Sequence, residues 1–153
     1  MLLPIERAAH CGRPSSISYS IMQKALDFLD THRDVAFATV GDNHPQIRVF
    51  QIMKRRDNDL FFATSAKKEV YFQLQQNPAV ELLAMEGDLS VRVKGEAHFD
   101  VDDATSQEIY NGNDILKRLY SDYRAMVYFR IPISSMDYYD LQPTPPVLEH
   151  YTL

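Results

Sequence analysis

Leu60-Phe61-Phe62-Ala63-Thr64-Ser65-Ala66-Lys67-Lys68-Glu69-Val70-Tyr71 runs an apolar strand straight into what should be the start of a helix. Strand ends beside helix N-termini collect unpaired backbone N–H groups, and the helix dipole makes that spot locally positive. The hydroxyls of Thr64 and Ser65 and the ammonium groups of Lys67 and Lys68 would turn such a junction into a cradle for phosphate. The same residues also read as a Ser65 N-cap followed by two solvated lysines. On the residues alone both readings stand.

Working back from this junction, Val35 to Val40 is a β-rich run closed by the turn cluster Gly41-Asp42-Asn43-His44-Pro45. Gln46 to Met53 is its hairpin partner, with Ile47, Val49, Gln51 and Met53 on one face and Arg48, Phe50 and Ile52 on the other. Lys54-Arg55-Arg56, followed at once by Asp57 and Asp59, reads as a solvated hairpin turn. Upstream, Ser20 and Gln23 have capping-box spacing, and Ile21, Met22, Ala25, Leu26 and Leu29 share a helical stripe ending near Thr31. Residues 1–17 show no periodicity and read as an N-terminal arm.

Working forward, a helix over Ala66–Gln76 is stopped by Asn77-Pro78. Ala79–Met85 and Leu89–Phe99 pair through Glu86-Gly87-Asp88, with Val91 and Val93 alternating with Arg92 and Lys94. A helical segment opens at Asp102-Asp103 and runs to Tyr110, and Ile115–Leu119 adds a further turn or two beyond Asn111-Gly112-Asn113. Ala125–Ile131 reads as a sixth strand and Met136–Leu141 as a short edge strand. Pro143, Pro145 and Pro146 should end regular structure, leaving a tail over 143–153. Residues 18–142 thus form one domain of the α+β class, a six- to seven-stranded antiparallel split or closed β-barrel with flanking helices.

Composition narrows the function classes. The 153 residues carry 16 Lys and Arg against 21 Asp and Glu, a net charge of -5. That balance argues against nonspecific binding to nucleic acid or anionic membrane. No window approaches the ~18 apolar residues of a membrane span, and Met1–His10 lacks a signal-peptide core. Cys11 is the sole cysteine, which excludes an internal disulfide and a cysteine-based zinc site. A cytoplasmic protein is expected. His10, His32, His44, His98 and His150 lack metal-ligand spacing, so no metal site is expected. Tyr110, Tyr120, Tyr123, Tyr128, Tyr138, Tyr139 and Tyr151 crowd the last third and suit either packing or an amphipathic interface.

The ordered set of segments resembles the pyridoxamine 5′-phosphate oxidase-related flavoproteins. The resemblance is carried by Val35-Ala36-Phe37-Ala38-Thr39-Val40, Pro45-Gln46-Ile47-Arg48-Val49-Phe50 and Leu60-Phe61-Phe62-Ala63-Thr64-Ser65. It continues through Lys68-Glu69-Val70-Tyr71-Phe72-Gln73-Leu74, Asn77-Pro78-Ala79-Val80-Glu81-Leu82 and Val91-Arg92-Val93-Lys94-Gly95-Glu96-Ala97. It spans residues 21 to 130 and looks closest to the short single-domain branch with general-stress and nitroimidazole-reductase-like proteins. It implies a homodimer with FMN, or FAD, at the subunit interface. Arg48, Val49, Phe50 and Gln51 would line the flavin, with Arg48 turned to the phosphate or ring edge and backbone groups of Val49 and Gln51 on the ring. Thr64 and Ser65 would hold phosphate or ribityl oxygens, and Lys68, with Lys67 second, would supply the charge.

The implied activity is a flavin-dependent oxidoreductase passing electrons from a reduced nicotinamide to a small acceptor. The alternative is a flavin- or haem-binding carrier or sensor without turnover. A third reading is a dimeric interaction module that has lost its cofactor. The chain lacks the tryptophan and C-terminal arginines with which the biosynthetic oxidase handles pyridoxal, which argues against pyridoxamine phosphate oxidation.

Overall fold

The computed structural model describes residues 16–153. In chain order these form α1 (Ser16–Thr31), β1 (Asp34–Gly41), β2 (His44–Gln51), β3 (Lys54–Arg56), β4 (Asp59–Thr64), α2 (Glu69–Gln76), β5 (Ala79–Glu86) and β6 (Leu89–Glu96). Then follow α3 (Asp103–Asn111), α4 (Asp114–Leu119), a 3₁₀ turn at Tyr123–Ala125, β7 (Val127–Asp140) and β8 (Val147–Thr152). All strands join one antiparallel sheet with the neighbour order β2-β1-β5-β6-β7-β4-β3, and β8 pairs with β7. The sheet curls into a split barrel, and α1 flanks it with its apolar stripe joined to the barrel core.

Helix α1 starts at Ser16 rather than at the expected Ser20 cap. Between Pro14 and Ser20 the sequence holds no breaker, so nothing stops the helix extending upstream. Its stripe Ala25, Leu26, Phe28 and Leu29 is buried in the barrel. The β1–β2 turn has positive φ at both loop residues, Asp42 (51°) and Asn43 (62°), the geometry that matches the twist of a tight hairpin. Inside the barrel Phe62 and Phe129 stack at 5.3 Å between ring centroids, and Phe37 meets Phe62 edge-on at 5.2 Å.

Strand β4 is buried on both faces, which explains its uninterrupted apolar run. Leu60 and Phe62 enter the main core, while Phe61 and Ala63 pack with Ile109, Leu116, Met126 and Tyr128 beneath α3 and α4.

Three expectations need correction. The sixth and edge strands are one strand, β7. Its first part pairs with β4 up to Pro132, and its later part pairs with β6 from Ile133. Pro132 falls at that changeover, where no ladder bond is needed from its missing N–H. Gly95 sits opposite, at a register shift, where an added Cβ would lie 2.5 Å from the Pro132 carbonyl oxygen. The proline-rich segment is a turn and not an end: the expected tail folds back as β8, with Tyr151 buried. Finally, Lys54-Arg55-Arg56 is strand β3 and is not simply solvated. Arg55 donates to both Asp30 carboxylate oxygens (2.8 and 2.6 Å), and Lys54 pairs with Glu108. Among the described residues no helix is long and apolar enough to cross a membrane.

Candidate functional site

Strands β2 and β3 end the strand path, so the free edge of β2 faces β4, the start of α2 and helix α4 across the split in the barrel. A cavity of about 380 Å³ occupies this split. That is within the ~300–1,000 Å³ range of small-molecule sites. Its lining brings together six residues expected from the sequence: Arg48, Val49, Phe50 and Gln51 from β2, Thr64 from β4 and Lys68 at the head of α2. Ser65 and Lys67, expected beside them, do not line it.

Thr64 decides the chemistry of this cavity. It is 2 % exposed, and its Oγ1 has no hydrogen-bond partner among the described residues. A buried hydroxyl without a partner carries a desolvation cost of about 1–3 kcal/mol, so its persistence calls for an explanation. Helix α2 adds unanswered donors. It begins at Glu69, three residues later than expected, and its N-cap position Lys68 makes no side-chain capping bond. Ser65 is not the cap; its Oγ accepts from the Lys67 N–H (3.2 Å) in the preceding turn. Thr64, Lys68 and the first residues of α2, Glu69 and Val70, all border the cavity, with Lys68 exposed and the Thr64 hydroxyl buried. An oxygen-rich anionic group such as a flavin phosphate fits that donor set.

Arg48 is placed differently from the expectation. Its terminal nitrogens are engaged inside the barrel end: Nη1 donates to Thr39 Oγ1 (2.7 Å) and Nη2 to Gln73 Oε1 (2.9 Å). Thr39 Oγ1 in turn donates to Gln73 Oε1 (2.6 Å), closing a triangle. Burial lowers the Arg48 pKa from its ordinary value, against the raising influence of nearby Glu69. Arg48 thus lines the cavity with its charge held by neutral acceptors.

Sequence reasoning missed the opposite wall, made by Leu116, Leu119, Tyr120 and Met126. The i, i+3, i+4 spacing of Leu116, Leu119 and Tyr120 was the available signal. It also missed Glu69, a carboxylate on the first turn of α2, where the dipole favours it.

A second cavity, of about 460 Å³, lies between the end of α1, β3 and α3. It shares Gln51 and Met53 with the first, so the two adjoin at the end of β2 away from Lys68. No histidine lines either cavity, and no metal-binding cluster occurs among the described residues. His10 and Cys11 lie outside the described residues.

Arg92 and His150 belong to the outer face of the sheet and line neither cavity. Arg92 Nη2 and Nε donate to Asp137 Oδ2 (2.8 and 3.0 Å), and His150 Nδ1 meets Asp137 Oδ1 at 2.5 Å. Most of the tyrosines serve packing. Tyr128 donates to the Tyr123 carbonyl (3.0 Å), with burial pushing its pKa up to about 12, and Tyr110 donates to the Tyr120 carbonyl (2.7 Å).

The sequence profile described as pyridoxamine 5′-phosphate oxidase matches residues 21–138. No curated protein matches the chain. Solved structures with similar folds include general stress protein 26 from Bacillus anthracis, at 21% identity and a TM-score of 0.71, covering 86% of this chain and 97% of that one. A haem-binding protein from Mycobacterium smegmatis gives a TM-score of 0.71 at 14% identity, over 92% of this chain and 59% of that one. An FAD-binding protein from Mesorhizobium loti gives 0.61 at 18% identity, over 75% and 89%. At such identities the structures speak for the fold alone. The profile covers most of the barrel, and the chain belongs to the pyridoxamine 5′-phosphate oxidase family.

Proposed function

We propose that this chain is an FMN-dependent oxidoreductase that works as a homodimer and passes electrons from a reduced nicotinamide to a small acceptor. The observation that carries the reading is the buried, unbonded Thr64 hydroxyl beside the uncapped start of α2 and Lys68. Thr64, Lys68 and the edge of β2 from Arg48 to Gln51 would hold the flavin, FMN in the first instance and FAD in the second. When bound, the flavin supplies hydride and electron transfer. The chain's own contribution is to anchor the phosphate by charge-assisted bonds and to exclude water with Val49, Leu116 and Leu119. No acid–base dyad is needed for hydride transfer to a flavin.

Self-association is supported by the outer sheet face. Ile47, Val49, Leu83 and Met85 are exposed there at 73%, 74%, 38% and 68%. Val49 also lines the cavity, so a second copy seated on this face would close the cavity's mouth.

The test is the absorbance of the purified protein, the mass of the molecule released on denaturation, and stopped-flow mixing with NADH or NADPH. Expected are flavin bands, a released FMN and rapid bleaching. Slow or absent bleaching with flavin present would favour the carrier or sensor reading. A Soret band would favour haem, for which neither cavity offers a histidine. A colourless protein that does not take up added FMN or FAD would refute the flavin reading.

A further inference from the structure

We propose that the second cavity is a subsite for a small carboxylate-bearing compound, its anion held by Arg33. Its role as the acceptor site rests on the flavin reading; its preference for a carboxylate does not.

The cavity's charge balance points this way. Its two carboxylates are already matched, Asp30 by Arg55 and Glu108 by Lys54, with Arg56 at 3.7 Å. Arg33 is the lining cation left over. Its Nε donates to the Asp30 carbonyl (3.0 Å) and its Nη1 to the Met53 carbonyl (3.4 Å), both neutral acceptors. It has no carboxylate partner among the described residues, and its Nη2 makes no hydrogen bond there. Guanidinium groups bind carboxylates through parallel N–H donors, so a cation oriented by carbonyls and lacking a counter-ion is arranged to receive one. The backbone at Arg33 is pinned as well, since its carbonyl accepts from the Ile52 N–H (2.8 Å).

Position supplies the second argument. At the partition between the cavities, Asn113 Nδ2 donates to Gln51 Oε1 (3.3 Å) and approaches Met53 Sδ (3.4 Å), while its Oδ1 accepts from Leu116 N–H (3.1 Å). The amide is therefore oriented by the first turn of α4. A compound anchored on Arg33 extends toward Gln51, the end of the flavin cavity opposite the Lys68 cradle. That is where a reacting ring must be approached if the phosphate occupies the cradle.

Calorimetry with 4-nitrobenzoate and its neutral counterpart 4-nitrobenzamide tests this on the purified protein in its flavin-loaded state. The wild type should prefer the carboxylate by about tenfold or more. Arg33→Gln should abolish that preference while leaving amide binding and FMN affinity unchanged, and Arg33→Lys should restore part of it. Equal affinity for the two probes, an undiminished preference in Arg33→Gln, or no binding of either at millimolar concentration would overturn the proposal. An Arg33-dependent preference in protein that takes up no flavin would uphold the carboxylate subsite and refute the flavin reading alone.

Discussion

Two groups of charge in this molecule are built on opposite terms. On the outer face, one cross-strand row runs Val49, Ala36, Leu83, Arg92, Asp137, His150 through six strands. Its charged half is closed: Arg92 reaches Asp137 and also Glu81 (3.4 Å), and Asp137 meets His150. At the β4–α2 junction Lys68 has no carboxylate within ion-pair distance among the described residues, and Thr64 Oγ1 has no hydrogen-bond partner there. Closed pairs fix the sheet. The proposed flavin site rests on these unmatched donors beside a cavity, since a buried polar group left without a partner calls for an explanation.

The sharpest way to break this contrast is Lys68→Ala. FMN affinity should fall by the equivalent of about 1.5–3 kcal/mol, the value of a charge-assisted contact, with an unchanged melting temperature. Unchanged affinity by calorimetry would remove Lys68 from the site. Thr64→Val keeps the shape and deletes the orphaned hydroxyl. FMN should bind about 1 kcal/mol more weakly, while the protein without flavin melts no lower than wild type. A lower melting temperature there would mean that the hydroxyl has a structural partner after all.

The smallest effect is expected on the closed row. Asp137→Asn should lower stability by about 0.5 kcal/mol, since the pair lies at a surface partly screened by water, and should leave FMN binding alone. Its pH dependence has a definite sign. Burial alone would raise the Asp137 pKa, but hydrogen bonds from His150 and Arg92 and their charges outweigh it, so the folded value lies below the ordinary one. The stabilisation is thus fully present above the unfolded carboxylate pKa of about 3.9 and is lost as pH falls through the folded value. Urea unfolding across the acid range should show that loss in wild type and a flatter profile in Asp137→Asn.

Much of the fold was legible because local patterns agreed with the tertiary outcome. Leu60–Ala63 read as strand, Asn77-Pro78 as a stop and Asp42-Asn43 as a hairpin turn, and each is so used. The β4–α2 junction was legible because its hydroxyls and lysines are contiguous in sequence. The rest depended on distant partners. Thr39 and Gln73 hold Arg48 from positions 9 and 25 residues away, which no window could pair. The sixth strand read as ending at Ile131 and the prolines at 143, 145 and 146 as ending regular structure, because what a strand can span depends on what lies beside it. Ser65 and Lys67 fell outside the cavity because the chain turns once more before α2 begins.

Strand β7 has one consequence for how the molecule comes apart. Its fourteen residues hold β6 along one stretch and β4 along another, with β8 added beside its C-terminal half. Separating either β4 or β6 from the sheet therefore strips ladder bonds from the same spine. Thr64, through β4, and the outer ion-pair row, through β6 and β8, are both laddered to that spine, whereas the β2 wall of the pocket is laddered to β1 alone.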